Sequence, residues 1–231
     1  MKIIGIVAEY NPFHTGHAWH IQETRRQFRE ETAVVAVMSG NWVQRGECAI
    51  TDKWTRTEMA LAGGVDLVLE LPTVWSTASA EGFARGAIAL LAATGVVDVL
   101  SFGSECGEIP PLRALARCLN SLDFSQALRR ALGPKKSFAQ CRRQAASHLL
   151  GEDTATLLDL PNNNLGVEYL RFLPPDIDAV TIPRRGAGHD SPSEGDGFPS
   201  ASLLRQKLRA GEVTGVSPFL SLPWKGEAAN M

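Results

Sequence analysis

Five short apolar runs, rich in β-branched residues, stand out along the chain and predict β-strands that are buried on both faces. They occupy residues 2–8, 32–38, 65–70, 96–102 and 179–182. Segments of helical length, at residues 17–30, 51–61 and 80–94, separate the first four runs. Strands that alternate with helices in this way form a parallel sheet with right-handed crossovers, so the pattern predicts a doubly wound α/β fold with a parallel five-stranded sheet.

The alternation stops after the fourth strand. Residues 109–150 read as two or three helices with breaks near Asp123 and Gly133-Pro134, which we interpret as a helical insert after strand four. A stretch rich in glycine, serine, proline and aspartate at residues 186–199 predicts a mobile loop before a last helix from about 200 to 209. We therefore expect one main domain at residues 1–108 and 151–210, the insert at 109–150 and a tail at 211–231.

The composition, with 44% hydrophobic and 21% charged residues, is that of an ordinary globular protein and excludes a disordered chain. The longest apolar stretch, at residues 87–100, is interrupted by Gly95 and Asp98. It is shorter than the ~20 residues that span a bilayer, so no membrane span is predicted.

The N-terminal segment carries Glu9 and lacks a small-residue cleavage site, which argues against a secretory signal. We expect a cytoplasmic protein.

The distribution of charge is uneven although the formal net charge is only -2. Residues 113–143 contain eight basic residues and one acidic residue. Clustered cations bind polyanions because they release counterions from phosphates. A solvated helix face would have the same composition, so the sequence leaves both interpretations of the basic insert open.

The segment AEYNPFHTGH, at residues 8–17, follows the first strand and is the first candidate site. In open α/β sheets, ligands bind beyond the carboxyl ends of the strands. A helix that starts near Thr15 would direct backbone amides and the positive end of its dipole toward a phosphate, and Gly16 would let that phosphate come close. His14 and His17 could donate hydrogen bonds to oxygens that gain charge as pyrophosphate leaves. Alternatively, the two histidines only cap the helix.

No metal-binding pattern is present in the sequence. On a regular helix, His14, His17 and His20 would be rotated by about -60° per step, so the outer two would point about 120° apart and could not share one metal. The cysteines are widely spaced and form no CxxC pair, which excludes a zinc ribbon and a disulfide framework. They are Cys48, Cys106, Cys118 and Cys141.

HTGH after the first strand resembles the HxGH signature of the nucleotidyltransferase superfamily. Residues 200–205, SASLLR, resemble the turn and arginine that hold the ATP phosphates in those enzymes, although the same residues could simply cap a helix. A narrower resemblance, to the bacterial tRNA(Met) cytidine acetate ligase family, rests on motifs in order along the chain. They are AEYNPFHTGHAWH (8–20), MSGNWVQRGE (38–47), DKWTRTEMAL (52–61), GVDLVLELP (64–72), FGSE (102–105), PNNNLGVEYL (161–170) and TIPRRGAGHD (181–190).

This resemblance implies a Rossmann-like nucleotidyltransferase (HUP) fold and an ATP-dependent ligase. The enzyme would activate acetate with ATP as acetyl-adenylate and then acetylate N4 of the wobble cytidine of elongator tRNA(Met). The implied catalytic residues are His14, His17 and Arg205. The implied nucleotide-binding residues are Val7, Ala8, Glu9, Tyr10, Asn11, Pro12, Phe13, His14, Thr15, Gly16, His17, Ala18, Trp19, His20, Gly103, Asn162, Arg184, Arg185 and Ser202.

Other motif residues have two interpretations each. Arg45, in the loop after strand two, is either an anion contact or part of a surface turn. Asp52 and Arg56 are spaced to form a surface ion pair worth a few tenths of a kcal/mol, but we place them, with Lys53, near the substrate. Gly103 should leave room for the nucleotide, and one asparagine of residues 162–164 should cap the helix that follows. The role of His189 stays open, because relatives have one more residue before it.

Magnesium should assist by bridging phosphate oxygens, which requires few protein ligands. The acetate pocket should be tight, and the tRNA must present its cytidine unstacked. Relatives extend beyond the last helix, so the insert would carry more of the tRNA binding. Two alternatives remain: a small-molecule nucleotidyltransferase that transfers AMP or CMP without RNA, and a nucleotide-binding regulator with a degenerate site.

Overall fold

The computed structural model describes residues 1–184 and 199–224, apart from the side chain of Arg45. It contains five strands, β1 (Lys2–Ala8), β2 (Thr32–Ser39), β3 (Leu67–Leu71), β4 (Val99–Ser104) and β5 (Asp178–Pro183). Their order across the sheet is β3-β2-β1-β4-β5, and every neighbouring pair is parallel. The predicted doubly wound α/β fold is confirmed. The winding direction changes between β1 and β4, where such folds place their ligand crevice.

Helices lie between these strands and after β5. They are α1 (Thr15–Arg26), α2 (Lys53–Ala62), α3 (Thr73–Ser76), α4 (Ala80–Ala93), α5 (Ile109–Leu119), α6 (Leu122–Ala131), α7 (Phe138–Leu150), α8 (Glu152–Ala155), α9 (Pro161–Phe172), α10 (Ala201–Arg209) and α11 (Val213–Val216). Helices α4, α5 and α9 cover one face of the sheet, where Phe83, Leu112 and Val167 belong to the larger core. Helices α1 and α2 cover the other face, where Ile21 and Met59 belong to a second core.

Strands β3 and β4 begin later than predicted, because the apolar residues before them belong to turns. The amide of Val65 donates to the carbonyl oxygen of Ala60 (3.1 Å), which ends α2 and holds Val65 in the core outside the sheet. Val96 precedes β4 and is largely exposed. Hydrophobicity alone therefore overestimated the length of both strands.

The predicted helical segment at residues 109–150 contains α5, α6 and α7, and the break at Gly133-Pro134 is confirmed. The first break lies at residues 120–121, where the Ser121 hydroxyl accepts from the amide of Phe124 (3.1 Å) and caps α6. Helix α10 begins after Ser200, as predicted. Most of the loop predicted at 186–199 lies outside the described residues.

The four cysteines are free thiols in the structure. Within residues 1–184 and 199–224, none of the helices has the length and hydrophobicity that crossing a membrane requires.

Arg56 is completely buried, which contradicts the surface ion pair that its spacing from Asp52 suggested. Its guanidinium donates to the backbone carbonyl oxygens of Glu9 (2.6 Å), Thr51 (3.3 Å) and Gly40. Asp52 instead caps α2, accepting from the amides of Trp54 (2.9 Å) and Thr55 (3.0 Å). Arg56 therefore stabilises the β1–α1 turn through its hydrogen bond to the carbonyl oxygen of Glu9.

We expect Arg56→Met to lower the free energy of unfolding by about 3 to 5 kcal/mol, because it leaves buried carbonyl groups without a donor. Urea unfolding of the two proteins measures the difference. Arg26→Met is the matched control, since the Arg26 side chain is 70% exposed and should contribute little. If Arg56→Met lowers the free energy of unfolding no more than Arg26→Met does, the buried hydrogen bonds of Arg56 do not stabilise the fold.

Candidate functional site

A cavity of about 340 Å³ lies at the carboxyl ends of β1, β4 and β5. Its walls come from the β1–α1 turn, the loop after β2, the end of β4, the first turns of α9, the end of β5 and the start of α10. Most of the residues that the sequence singled out for nucleotide binding line this cavity. They are Val7, Ala8, Glu9, Tyr10, Asn11, His14, Gly16, His17, Trp19, His20, Gly103, Asn162, Arg184, Ser202 and Arg205.

Other singled-out residues lie elsewhere. Pro12, Phe13, Thr15 and Ala18 belong to the same turn and helix but are not part of the cavity wall. Phe13 is completely buried and packs so tightly on Gly63 that a Cβ atom there would lie 2.2 Å from its ring. Arg185 and His189 lie outside the described residues, as does the side chain of Arg45.

The side chains of His14 and His17 together cap the start of α1. The Nδ1 atom of His14 accepts from the amide of Gly16 (3.0 Å), and the Nδ1 atom of His17 accepts from the amide of His14 (3.2 Å). A neutral imidazole that accepts through Nδ1 carries its proton on Nε2. The two interpretations of this motif are therefore compatible: the histidines cap the helix with one nitrogen and keep the other as a donor. The amide of Gly16 is bound to His14 and so is not one of the free amides at the start of this helix.

The three histidines of this segment stay neutral. Burial, and then the positive charges of Arg184 and Arg205, lower the pKa of His14 to about 3. Burial is also the main cause that lowers the pKa of His20 to about 4 and the pKa of His17 well below its usual value. Near neutral pH, His14 and His17 are therefore hydrogen-bond donors through Nε2 rather than cations.

The histidines do not converge on one point. The Nε2 atom of His20 lies 3.0 Å from the hydroxyl of Ser101 on β4, which in turn lies 2.7 Å from the hydroxyl of Thr24. His20 therefore anchors α1 to the sheet, while His14 and His17 form the cap. In the part of the chain that the structure describes, no three His, Cys, Asp or Glu side chains are grouped to hold a metal ion.

Two arginines bring positive charge to the cavity. Arg205 on α10 donates to the carbonyl oxygen of Asn11 (2.8 Å) and to the hydroxyl of Ser202 (3.1 Å). Arg184, at the end of β5, donates to Oδ1 of Asn162 (3.1 Å). A Cβ atom at Gly103 would lie 3.4 Å from Cγ of Arg184, so a larger residue there would narrow this end of the cavity.

The segment SASLLR both caps α10 and contributes to the cavity. The Ser200 hydroxyl accepts from the amide of Leu203 (3.1 Å), which is the capping interaction that the sequence allowed. Ser200, Ser202 and Arg205 also line the cavity. Capping fixes the first turn of α10 and so holds Ser202 and Arg205 beside the β1–α1 turn.

The first turn of α9 is capped by Glu105 from the β4–α5 loop, so the predicted asparagine cap is wrong. Its two carboxylate oxygens accept from the amides of Asn162 (3.1 Å) and Asn163 (2.7 Å). Asn163 Oδ1 accepts in return from the amides of Glu105 and Cys106. Asn162 Nδ2 also donates to Glu105 (2.7 Å), which leaves the Asn162 oxygen to hold Arg184. A negative carboxylate is favoured here by the helix dipole.

The sequence did not identify several residues of the cavity wall. Leu165 and Tyr169 follow Asn162 by three and seven positions on α9, so they lie on one helix face, and this periodicity could have revealed them. Gln44 lines the cavity because its amide donates to Oε1 of Glu9 (2.9 Å), a long-range contact with no sequence signal. Phe102, at the end of β4, packs edge-on against Tyr169.

Comparisons with known proteins give the context of this site. The model of the HIGH Nucleotidyl Transferase family matches residues 1–223. The tRNA(Met) cytidine acetate ligase of Caldanaerobacter subterraneus subsp. tengcongensis is 42% identical over 226 residues, which are 95% of this chain and 56% of that protein. The enzyme of the same name from Syntrophotalea carbinolica is 46% identical over 220 residues, covering 92% of this chain and 52% of that protein.

Two crystal structures of Thermotoga maritima TmcAL have the same fold. The apo form superposes with a TM-score of 0.87 at 39% identity and covers 94% of this chain and 53% of that one. The form bound with alpha-thio ATP has a TM-score of 0.84 at 38% identity and covers 95% of this chain and 53% of that one. The chain thus spans about half the length of the relatives that it matches.

The buried histidines predict a pH-dependent stability. A histidine with a folded pKa below its unfolded value of about 6.5 takes up a proton on unfolding, so the free energy of unfolding falls as pH decreases through that interval. We expect His20→Gln to reduce this slope between about pH 6.5 and 4 by up to ~1.4 kcal/mol per pH unit. Urea unfolding at several pH values measures it. The exposed His148→Gln is the control, and equal slopes in the two variants would refute the assignment.

Proposed function

The chain belongs to the HIGH nucleotidyltransferase family, and from this membership we propose that it activates acetate with ATP and transfers the acetyl group to N4 of the wobble cytidine of elongator tRNA(Met). The similarity to tRNA(Met) cytidine acetate ligases supports this substrate assignment. Because the chain spans about half of those relatives, the whole reaction is a proposal for this protein.

One observation carries the proposal: two neutral imidazoles, held by their own helix cap, lie in a cavity that also contains Arg184 and Arg205. In the first step, an acetate oxygen forms a bond to the α-phosphorus of ATP. The bond from that phosphorus to the bridging oxygen breaks, and pyrophosphate leaves with the electron pair. Fixed donors that face the developing charge stabilise this transition state without reorganising. His14 and His17 would supply two such donors, and Arg205 a cation.

The second step needs no further cofactor. The N4 amino group of the unstacked cytidine attacks the acetyl carbonyl carbon, AMP leaves with the electron pair of the cleaved C–O bond, and N4 releases one proton. A cytidine that is stacked and paired could not reach the adenylate, so the substrate must present it from a loop. We place the reaction in the cytoplasm, where tRNA and ATP are available.

We propose Mg²⁺ as the metal that neutralises phosphate charge. The described residues offer no metal-binding cluster, whereas Glu9 and Glu47 line the cavity as separate carboxylates. Mg²⁺ commonly keeps most of its waters and binds through substrate phosphates with one or two carboxylates, which fits this donor set. A resident all-protein metal cage does not fit it.

The exposed basic residues of the insert support RNA binding. Arg142 is engaged with Glu168 on α9, and Arg143 with Glu152, so these two cations are neutralised within the protein. Arg117, Arg129, Arg130, Lys135 and Lys136 are exposed. We propose that this exposed group binds the tRNA backbone, because phosphate contacts need accessible cations.

We expect the chain to form acetyl-adenylate from ATP, Mg²⁺ and labelled acetate, and to acetylate cytidine when bacterial tRNA is added. His17→Ala should reduce adenylate formation by roughly 10²-fold or more, because it removes a transition-state donor. His148→Ala, at an exposed position, is the matched control. Urea unfolding of His17→Ala shows whether lost activity reflects lost structure. A rate within twofold of the unsubstituted protein would reject the catalytic role, and adenylylation of another acceptor instead of acetate would favour the small-molecule nucleotidyltransferase.

For the insert, Arg129→Glu combined with Arg130→Glu should weaken tRNA binding at low salt at least tenfold and leave acetyl-adenylate synthesis unchanged. The control is the double variant Arg26→Glu with Arg29→Glu. It makes the same charge change at two exposed positions at the C-terminal end of α1, outside the insert. If both double variants lose tRNA affinity equally, the effect is one of net charge and the insert is not the docking surface.

A further inference from the structure

Two residues of the cavity wall have buried donor atoms that nothing in the described structure satisfies. They are the hydroxyl of Tyr10 and the side-chain amide nitrogen of Gln44. A buried polar atom without a partner costs about 1–3 kcal/mol, so such atoms are rare in native proteins and call for an explanation. Both of these belong to one cavity, on the wall formed by the β1–α1 turn and the loop after β2.

The backbone of Tyr10 has a strained conformation. It has a φ of 47°, in the left-handed region that L-residues with bulky side chains avoid. Its ring is buried and packs edge-on against Phe13 (4.8 Å between centroids) and His17 (4.9 Å). Burial raises the pKa of the Tyr10 hydroxyl, so it keeps its proton and remains a donor near neutral pH. The strained backbone thus puts a neutral donor side chain next to His17.

Gln44 is fixed to the same wall by its backbone. Its amide donates to Oε1 of Glu9 (2.9 Å), the residue before Tyr10. The loop is tied a second time, where the amide of Ile50 donates to Oδ1 of Asn11 (2.7 Å). Val43, almost completely buried, is an apolar neighbour in this wall. The two unsatisfied donors therefore belong to adjoining segments that lie beside the histidine pair.

We propose that Tyr10 and Gln44 form the subsite for the acetate carboxylate, with the Tyr10 hydroxyl and the Gln44 side-chain nitrogen as its hydrogen-bond donors. This inference rests on the proposed function and states where the acetate of that reaction binds. Both donor atoms are inaccessible in the described structure, so acetate can reach them only after Gln44 or a neighbouring side chain of the wall changes its rotamer. The arginines of the cavity, Arg184 directly after β5 and Arg205 on α10, would bind the phosphates instead.

Neutral donors suit an acetate that must act as a nucleophile. An arginine paired with the carboxylate would form two charge-assisted hydrogen bonds and stabilise the ground state strongly. A hydroxyl and an amide orient the carboxylate through weaker bonds and leave it more of its negative charge for attack on phosphorus. Interactions that stabilise only the ground state do not accelerate the chemical step.

The test uses Tyr10→Phe, which removes only the unsatisfied oxygen. We expect the KM for acetate to rise at least about tenfold in the adenylate assay, while the KM for ATP stays within twofold. Because that oxygen has no partner among the described residues, the free energy of unfolding should not decrease. Gln44→Leu, of similar size, should raise the KM for acetate in the same way. The matched control is Ser39→Ala. The Ser39 hydroxyl is also buried and has no partner in the described part of the chain, but it does not line the cavity, so the KM for acetate should not change.

A binding measurement separates this inference from the proposed function. NMR titration of ¹³C-acetate, in the presence of a non-hydrolysable ATP analogue, measures the Kd for acetate without any reaction. If the unsubstituted chain makes acetyl-adenylate and Tyr10→Phe changes neither the KM nor the Kd for acetate, the subsite is overturned and the function stands. If the unsubstituted chain makes no adenylate but binds acetate, and Tyr10→Phe weakens that binding, the subsite stands and the function fails. If the unsubstituted chain neither makes acetyl-adenylate nor binds acetate, both are overturned.

Discussion

The β1–α1 turn is irregular backbone in a buried position, and its polar groups must be satisfied by other parts of the chain. Arg56 from α2 binds the Glu9 carbonyl, and Arg205 from α10 binds the Asn11 carbonyl. The Asn11 side chain accepts from the amide of Ile50 in the loop after β2. Elements that are far apart in sequence thus converge on one turn. This set of contacts holds Tyr10 in its left-handed conformation in the wall of the cavity.

The histidine pair shows how structural and chemical roles share one side chain. Each imidazole accepts a backbone amide through Nδ1, which fixes both its orientation and the position of its proton. Burial and two nearby arginines keep His14 uncharged. A charged imidazole would protonate Nδ1 and break the cap, so the neutral state and the helix start depend on each other. The donor that remains, Nε2, is therefore preorganised by the fold itself.

Helix α9 connects the cavity with the basic insert. Asn162 and Tyr169 line the cavity, while Glu168, almost completely buried, pairs with Arg142 from α7 and with Arg171 on its own helix. A buried carboxylate is tolerated only when it is paired in this way. The insert is thus fastened to the helix that holds the candidate site. The same pairing shows why a count of basic residues overstates the charge that is available to a ligand.

The sequence by itself determined the strand and helix order, the parallel sheet and the location of the candidate site, because hydrophobic periodicity and the HTGH motif are local signals. It also allowed a capping role for His14 and His17. Only the tertiary structure decided that Arg56 is buried, that Glu105 rather than an asparagine caps α9, and that Gln44 reaches the cavity. These outcomes depend on contacts between residues distant in the chain, and a polar side chain has the same local pattern whether its partner is solvent or a buried carbonyl.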